Sequence, residues 1–149
     1  MDSSRACPEC GAVWQGERTC QDDFHQMLFW EAEFPEYGIV HHLTVLCYHM
    51  QHPSLYSPET LAEGKRMLAD FLAGTPPSEM RRRMRDRVDS GRRSWKVTGT
   101  EDAHGAYERP VRWTMTARDV VVAGADRYVE SVRAWAQSMY DALAASGNL

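Results

Sequence analysis

Apolar side chains recur at three- and four-residue intervals along most of this chain, the spacing of helices that bury one face. The first such run predicts a helix from about Cys20 to Glu33, with Phe24, Met27, Leu28 and Glu31 on one side. Asp22 and Asp23 fall in its first turn, where the helix dipole favours acids. The stretch "FPEYG" breaks it. A second helix is expected over about 37–51, with Val40, Leu43, Cys47 and Met50 on one stripe. His41, Thr44, Val45, Tyr48 and His52 form another. Its β-branched residues make a buried strand the competing reading, but fifteen residues is long for a strand.

A third helix opens at Ser57, a good N-cap, followed by Pro58 and Glu59. Leu61, Leu68, Phe71 and Leu72 give it a core face, and Gly74 ends it. The fourth, within "TPPSEMRRRMRDRVDSG", has only Met80, Met84 and Val88 as an apolar stripe and belongs on the surface. Residues 91–116 are the least regular, with "SWKVTG" and "RPVRWTMT" able to form a short β-hairpin near 93–116. "ARDVVVAG" reads equally as helix or strand. The last helix, Asp126 to about Ala145, sets Val129, Val132, Ala136, Met139 and Leu143 on one face. That face packs on the helical core in preference to a second subunit.

The pattern predicts one mainly α domain over 1–149: a knuckle at 1–19, a helical part at 20–90, an irregular part at 91–116 and C-terminal helices at 117–149. With 149 residues, 43% of them hydrophobic and 26% charged, the chain can bury a real core. No basic start precedes an apolar run, and no window approaches the ~18 apolar residues of a membrane span. A soluble cytoplasmic protein is expected, with no membrane contact.

Charge is uneven. Residues 1–75 hold 4 Lys/Arg against 11 Asp/Glu, and residues 76–149 hold 13 against 10. The basic excess lies in "RRRMRDRVDSGRRSWK", where a solvated arginine-rich helix is favoured over a phosphate-binding surface. Net charge of −4 argues against nucleic acid, since affinity for phosphate grows with neutralising charge.

Two clusters carry the candidate chemistry. "CPECG" places Cys7 and Cys10 on a tight turn, which is half of a zinc site. "HHLTVLCYHMQHP" holds four of the six histidines. Cys20, at the start of the first helix, is the natural third ligand, because the helix N-terminus favours a thiolate. A short link makes the first two helices an antiparallel pair, so the end of the second returns beside Cys20. His52 then finishes level with Cys20, with His49 in reserve and Cys47 and His25 behind it. His41 and His52, eleven residues apart, stand ~16 Å apart along a helix and cannot share one ion. The expected ligands are Cys7, Cys10, Cys20 and His52 around one structural Zn2+, which a mixed thiolate and imidazole set favours over iron.

His41 has two readings. It is either a histidine hydrogen-bonded within a helical core or part of a polar pocket, with Tyr48 on its face and Glu31 opposite. In that pocket it can act as a general base or hold a second metal. The known catalytic spacings are missing: no His-Glu-x-x-His, Gly-x-Ser-x-Gly or P-loop occurs, and the deaminase His-x-Glu is lacking. The expectation is a zinc-stabilised helical domain that binds a protein partner or a second copy of itself. The alternative is a metal-dependent enzyme using His41, Glu31 and Tyr48.

The same residues resemble an uncharacterised bacterial family catalogued as a domain of unknown function. The match runs through Cys7, Cys10, Gly11 and Cys20, then Val40, His41, Leu43, Thr44 and Val45, then Tyr48, Gln51, His52 and Pro53. "WTMTARDV" and "VRAWAQSMYDAL" extend it through the C-terminal part. The family pattern uses His41 and His52 but not His42, Cys47 or His49. Where it has an acidic residue after "LTV", this chain has Leu46. The resemblance implies the metal site and brings no established activity.

Overall fold

A computed structural model describes residues 4–89 and 97–149. Among the described residues the protein is mainly helical, with one small antiparallel hairpin. Strands β1 (Ser4–Ala6) and β2 (Val13–Gln15) pair with Arg5 opposite Trp14. The knuckle is the loop they enclose, so the expected turn is carried on a strand pair. Arg5 lies over the Trp14 ring at 5.3 Å and donates to the Gly16 and Arg18 carbonyls, closing the open end.

Helix α1 (Cys20–Glu33) starts at a full capping box: Thr19 accepts from the Asp22 amide, and Asp22 accepts from the Thr19 amide. Pro35 and Gly38 follow, and residues Pro35–Val40 form a 3₁₀ turn. The second helix, α2 (His41–Gln51), therefore starts four residues later than the periodicity suggests. Leu43, Thr44, Leu46, Cys47, Tyr48, Met50 and Gln51 are all buried, so both of its stripes face protein. Such burial makes α2 the central helix. It packs against α3 (Pro58–Leu72) and α6 (Tyr128–Ala145), while α5 (Ala117–Ala123) bridges α1 and α6.

Ser57 caps α3 through the Thr60 amide, as its sequence predicts. Helix α4 (Pro77–Asp89) lies on the surface, anchored by the fully buried Met80 and latched by Arg83 to Asp70 at 2.9 Å. The α6 face expected to pack inward does so: Val132, Ala136, Met139 and Leu143 are inaccessible to solvent, joined by Trp135 and Tyr128. Val129, at the first turn, is only half-buried. Among the described residues no helix is long and apolar enough to cross a membrane.

The hairpin expected near 93–116 is not formed by the described part of that stretch. Thr98 instead bridges antiparallel to Tyr56, and the Gly99 and Gly105 amides donate to the Leu55 and Tyr56 carbonyls. Residues 97–105 thus wrap the turn after α2. At the other end, Asn148 takes both backbone groups of Arg109. Residues 94–96 of the expected first strand, with Arg92 and Arg93, lie outside the described residues.

Gly99 is required at this wrap. A Cβ there would stand 2.3 Å from the Ser54 carbonyl oxygen and 2.6 Å from that of Tyr56. Both are backbone atoms and cannot turn away. Gly99→Ala is expected to destabilise the protein by roughly 2 kcal/mol or more, measured by urea unfolding.

Candidate metal centre

The CPECG turn is shaped by its glycine. Gly11 has φ +79°, a left-handed conformation open to glycine at little cost, and its amide donates to the Cys7 carbonyl at 2.9 Å. The Cys7 amide pairs with the Ala12 carbonyl at 2.8 Å, continuing the hairpin inward. Two amides then point at sulfur: Cys10 N–H towards Cys7 Sγ at 3.5 Å, and Ala12 N–H towards Cys10 Sγ at 3.4 Å.

Cys20 reaches the knuckle from the first residue of α1, and His52 from the C-cap of α2. Each of Cys7, Cys10, Cys20 and His52 is buried, and their four donor atoms lie within 4.8 Å of one another. Cys10 Sγ and Cys20 Sγ are 3.5 Å apart. That is too long for a disulfide, whose sulfurs sit about 2.05 Å apart. It is close to the ~3.8 Å edge of a tetrahedron with ~2.3 Å metal–sulfur bonds.

The imidazole of His52 is aimed by the helix it ends. Its Nδ1–H donates to the Tyr48 carbonyl at 2.7 Å, which fixes the tautomer and leaves Nε2 with a lone pair. Buried Nε2 has no aligned hydrogen-bond partner. Cys20 sulfur is near enough to influence its charge, but not placed as a proper acceptor. In the neutral ring that nitrogen offers a lone pair among three sulfurs, and a metal ion bound there would satisfy it. The four residues can therefore bind one metal ion.

Their titration is mutual. The Cys10 thiol is raised, first because its S–H is held by Cys20 and then by burial. Cys20 is lowered, chiefly by accepting that hydrogen bond, with the nearby His52 ring helping. Burial alone would keep His52 neutral, but Cys20 and the Tyr48 carbonyl outweigh it and raise it to about 9. The knuckle is also tied to the α2 end directly: Glu9 accepts from the Ser54 amide at 3.1 Å.

The other sequence candidates lie outside this cluster. His49 turns its Nδ1 to the Val45 carbonyl at 2.8 Å and stacks on Tyr56 at 5.0 Å. Cys47 is fully buried elsewhere, and burial pushes its thiol well up. His25 is exposed on α1. Tyr48 was expected beside His41 but is two turns away along α2. Its ring stacks on Phe24 at 4.1 Å and packs against His52 at 4.5 Å.

His41 and Glu31 do meet, with Nδ1 and Oε1 at 2.6 Å. In place of Tyr48 the partner is Tyr128, whose hydroxyl donates to Glu31 Oε2 while accepting from Thr44 at 2.9 Å. Burial and then the Glu31 carboxylate raise the Tyr128 hydroxyl, so it stays protonated. Nothing in the local sequence signals Tyr128, which is 97 residues from Glu31.

A Cys3His cluster on a hairpin-and-helix scaffold is the class of protein this geometry defines. The chain belongs to a family of unknown function, DUF5946, whose model matches residues 5–144 and so spans the whole cluster. No curated protein and no solved structure matches it.

Tyr48 acts on His52 through its carbonyl and its ring face, and its hydroxyl makes no hydrogen bond among the described residues. Tyr48→Phe is thus expected to leave the melting temperature and metal content unchanged. A clear loss of either would give the hydroxyl a role.

Proposed function

We propose that Cys7, Cys10, Cys20 and His52 hold one zinc ion, and that the ion is structural. The observation that carries this reading is the convergence of four buried donors from the knuckle, the start of α1 and the end of α2. Four protein ligands complete a tetrahedral shell and leave no open position for substrate. Three thiolates and an imidazole favour zinc over harder cations. The ion would clip the knuckle to the helical hairpin, so that binding free energy becomes folding free energy. All four cysteines are free of disulfides, which suits a reducing cytoplasm.

The domain so stabilised would act as a binding module for a protein partner or a second copy of itself. Support comes from a groove of about 630 Å³ beside the knuckle, walled by Pro8, Glu9, Arg112, Trp113 and Arg118. Phe29 on α1 and Val122 on α5 are also largely exposed, at 60% and 68%. Sedimentation velocity of the zinc-loaded protein separates the two occupants: a concentration-dependent dimer means self-association, and a constant monomer points to another protein.

The deciding experiment is metal content by mass spectrometry, on protein purified without added metal or chelator. One zinc per chain is expected. Cys20→Ser and His52→Ala should each lose it and cost roughly 3 kcal/mol or more, while His49→Ala should retain it. Equal metal content in all three variants would overturn the assignment.

A pH dependence follows. At neutral pH the metal-free His52, raised to about 9, carries a proton that must leave when the ion binds. Zinc affinity, read by competition with a chromogenic chelator, should rise with pH through and above the neutral range as His52 and the raised Cys10 thiol give up their protons. It should fall as acid protonates the thiolates.

A further inference from the structure

The α2 helix begins at a second polar cluster that shares no residue with the metal centre. Glu31 is nearly enclosed, its side chain 7% exposed, yet its carboxylate receives two donors. One is Tyr128 O–H, itself backed by Thr44, and both of those side chains are fully buried. The other is His41 Nδ1–H. A carboxylate can only accept, so the proton lies on Nδ1 and the lone pair of a neutral His41 lies on Nε2. The His41 ring is 43% exposed, so that lone pair is open to solvent.

A chain of Thr44, Tyr128 and Glu31 drawn from three helices is more than a surface histidine needs to stay soluble. It fixes one tautomer and one ring orientation, and it places a carboxylate where an imidazolium would need charge compensation. The surroundings fit a proton acceptor. His42, 5.4 Å away by ring centroid, is held in its neutral form first by burial and then by His41 and Arg81. Arg81 is exposed on α4, which packs against α2, and it makes no ion pair among the described residues, so it suits an anionic group on the incoming molecule.

We propose that His41 is a general base, its Nε2 taking the proton of a hydroxyl group on a small anionic molecule, with Glu31 as its positioning residue. The proton leaves the substrate oxygen for Nε2, the oxygen keeps the electron pair, and Glu31 balances the imidazolium through Nδ1–H. This site is independent of the zinc reading, and either can fail without the other.

The test uses the whole chain as purified and diethyl pyrocarbonate as probe. In that reaction imidazole nitrogen attacks a carbonyl carbon, an anhydride C–O bond breaks, and ethyl carbonate departs to give ethanol and carbon dioxide. The carboethoxylated ring then loses its other proton. Labelling rates for each histidine are read by peptide mass spectrometry. Exposure alone ranks His25 ahead of His41, so the reverse order is diagnostic. His41 should label several-fold faster than His25, and Glu31→Gln should bring it down to the His25 rate with the melting temperature and metal content unchanged. Nitrogen-15 NMR of the unmodified protein should show the Nδ1–H tautomer at His41. Slower labelling than His25, no response to Glu31→Gln, or an Nε2–H tautomer would each overturn the proposal.

Discussion

Three cysteine sulfurs held within 4.8 Å of one another impose a constraint that organises one end of the molecule. Unit charges at such spacing repel by several kcal/mol at the effective dielectric of a protein. The thiolate form of the cluster therefore demands positive charge at its centre, whether from protons or from a cation. The scaffold answers with groups that stabilise sulfur: two amides of the knuckle and the dipole of α1. Even so, the His52 nitrogen is left without an aligned partner, and the cluster is unbalanced on its own. The β1–β2 pair carries Cys7 and Cys10, the capping box of α1 sets Cys20, and the wrap of residues 97–105 holds the turn that follows His52. None of those elements is large enough to stand alone.

The central helix links this cluster to a different kind of polar assembly. At its C-terminal end His52 has an unsatisfied nitrogen among sulfurs; at its N-terminal end His41 is satisfied on one nitrogen by a buried carboxylate. Between them the helix is enclosed, with Leu43, Leu46, Cys47 and Met50 in the core. Enclosure explains why Thr44 and Gln51, polar residues on a buried helix, both find partners at long range. Thr44 meets Tyr128 on α6, and Gln51 donates to the Met115 carbonyl at 2.7 Å.

What was legible in the sequence is what depends on local spacing. The cap at Ser57, the stop at Gly74 and the inward face of α6 all follow from residues within a turn or two of each other. The approach of His52 to Cys20 was also legible, because two helices of similar length joined by a short link must return side by side. Long-range pairings were not. Tyr48 was placed beside His41 because both fall on one stripe, but the stripe says nothing about height, and two turns separate them. Tyr128 enters from the far end of the chain without any local mark. The hairpin near 93–116 is not formed by its described residues for a related reason: Thr98 bridges to Tyr56 instead. The α5 segment was ambiguous through its run of valines, and it is the Thr116–Asp119 capping box that starts it as a helix.

The two ends of α2 also fix how this helix can change. One inserted residue would rotate His52 by ~100° relative to His41 and shift it ~1.5 Å along the axis. Adding a whole turn would restore the facing but displace it by ~5.4 Å, beyond the reach of the sulfurs. With a polar anchor at each end, α2 behaves as a gauge block: its surface composition is free to drift, while its residue count is not. Lengthening or shortening in relatives of this chain should accordingly fall in connecting segments such as the stretch between α4 and α5, and spare the eleven residues from His41 to Gln51.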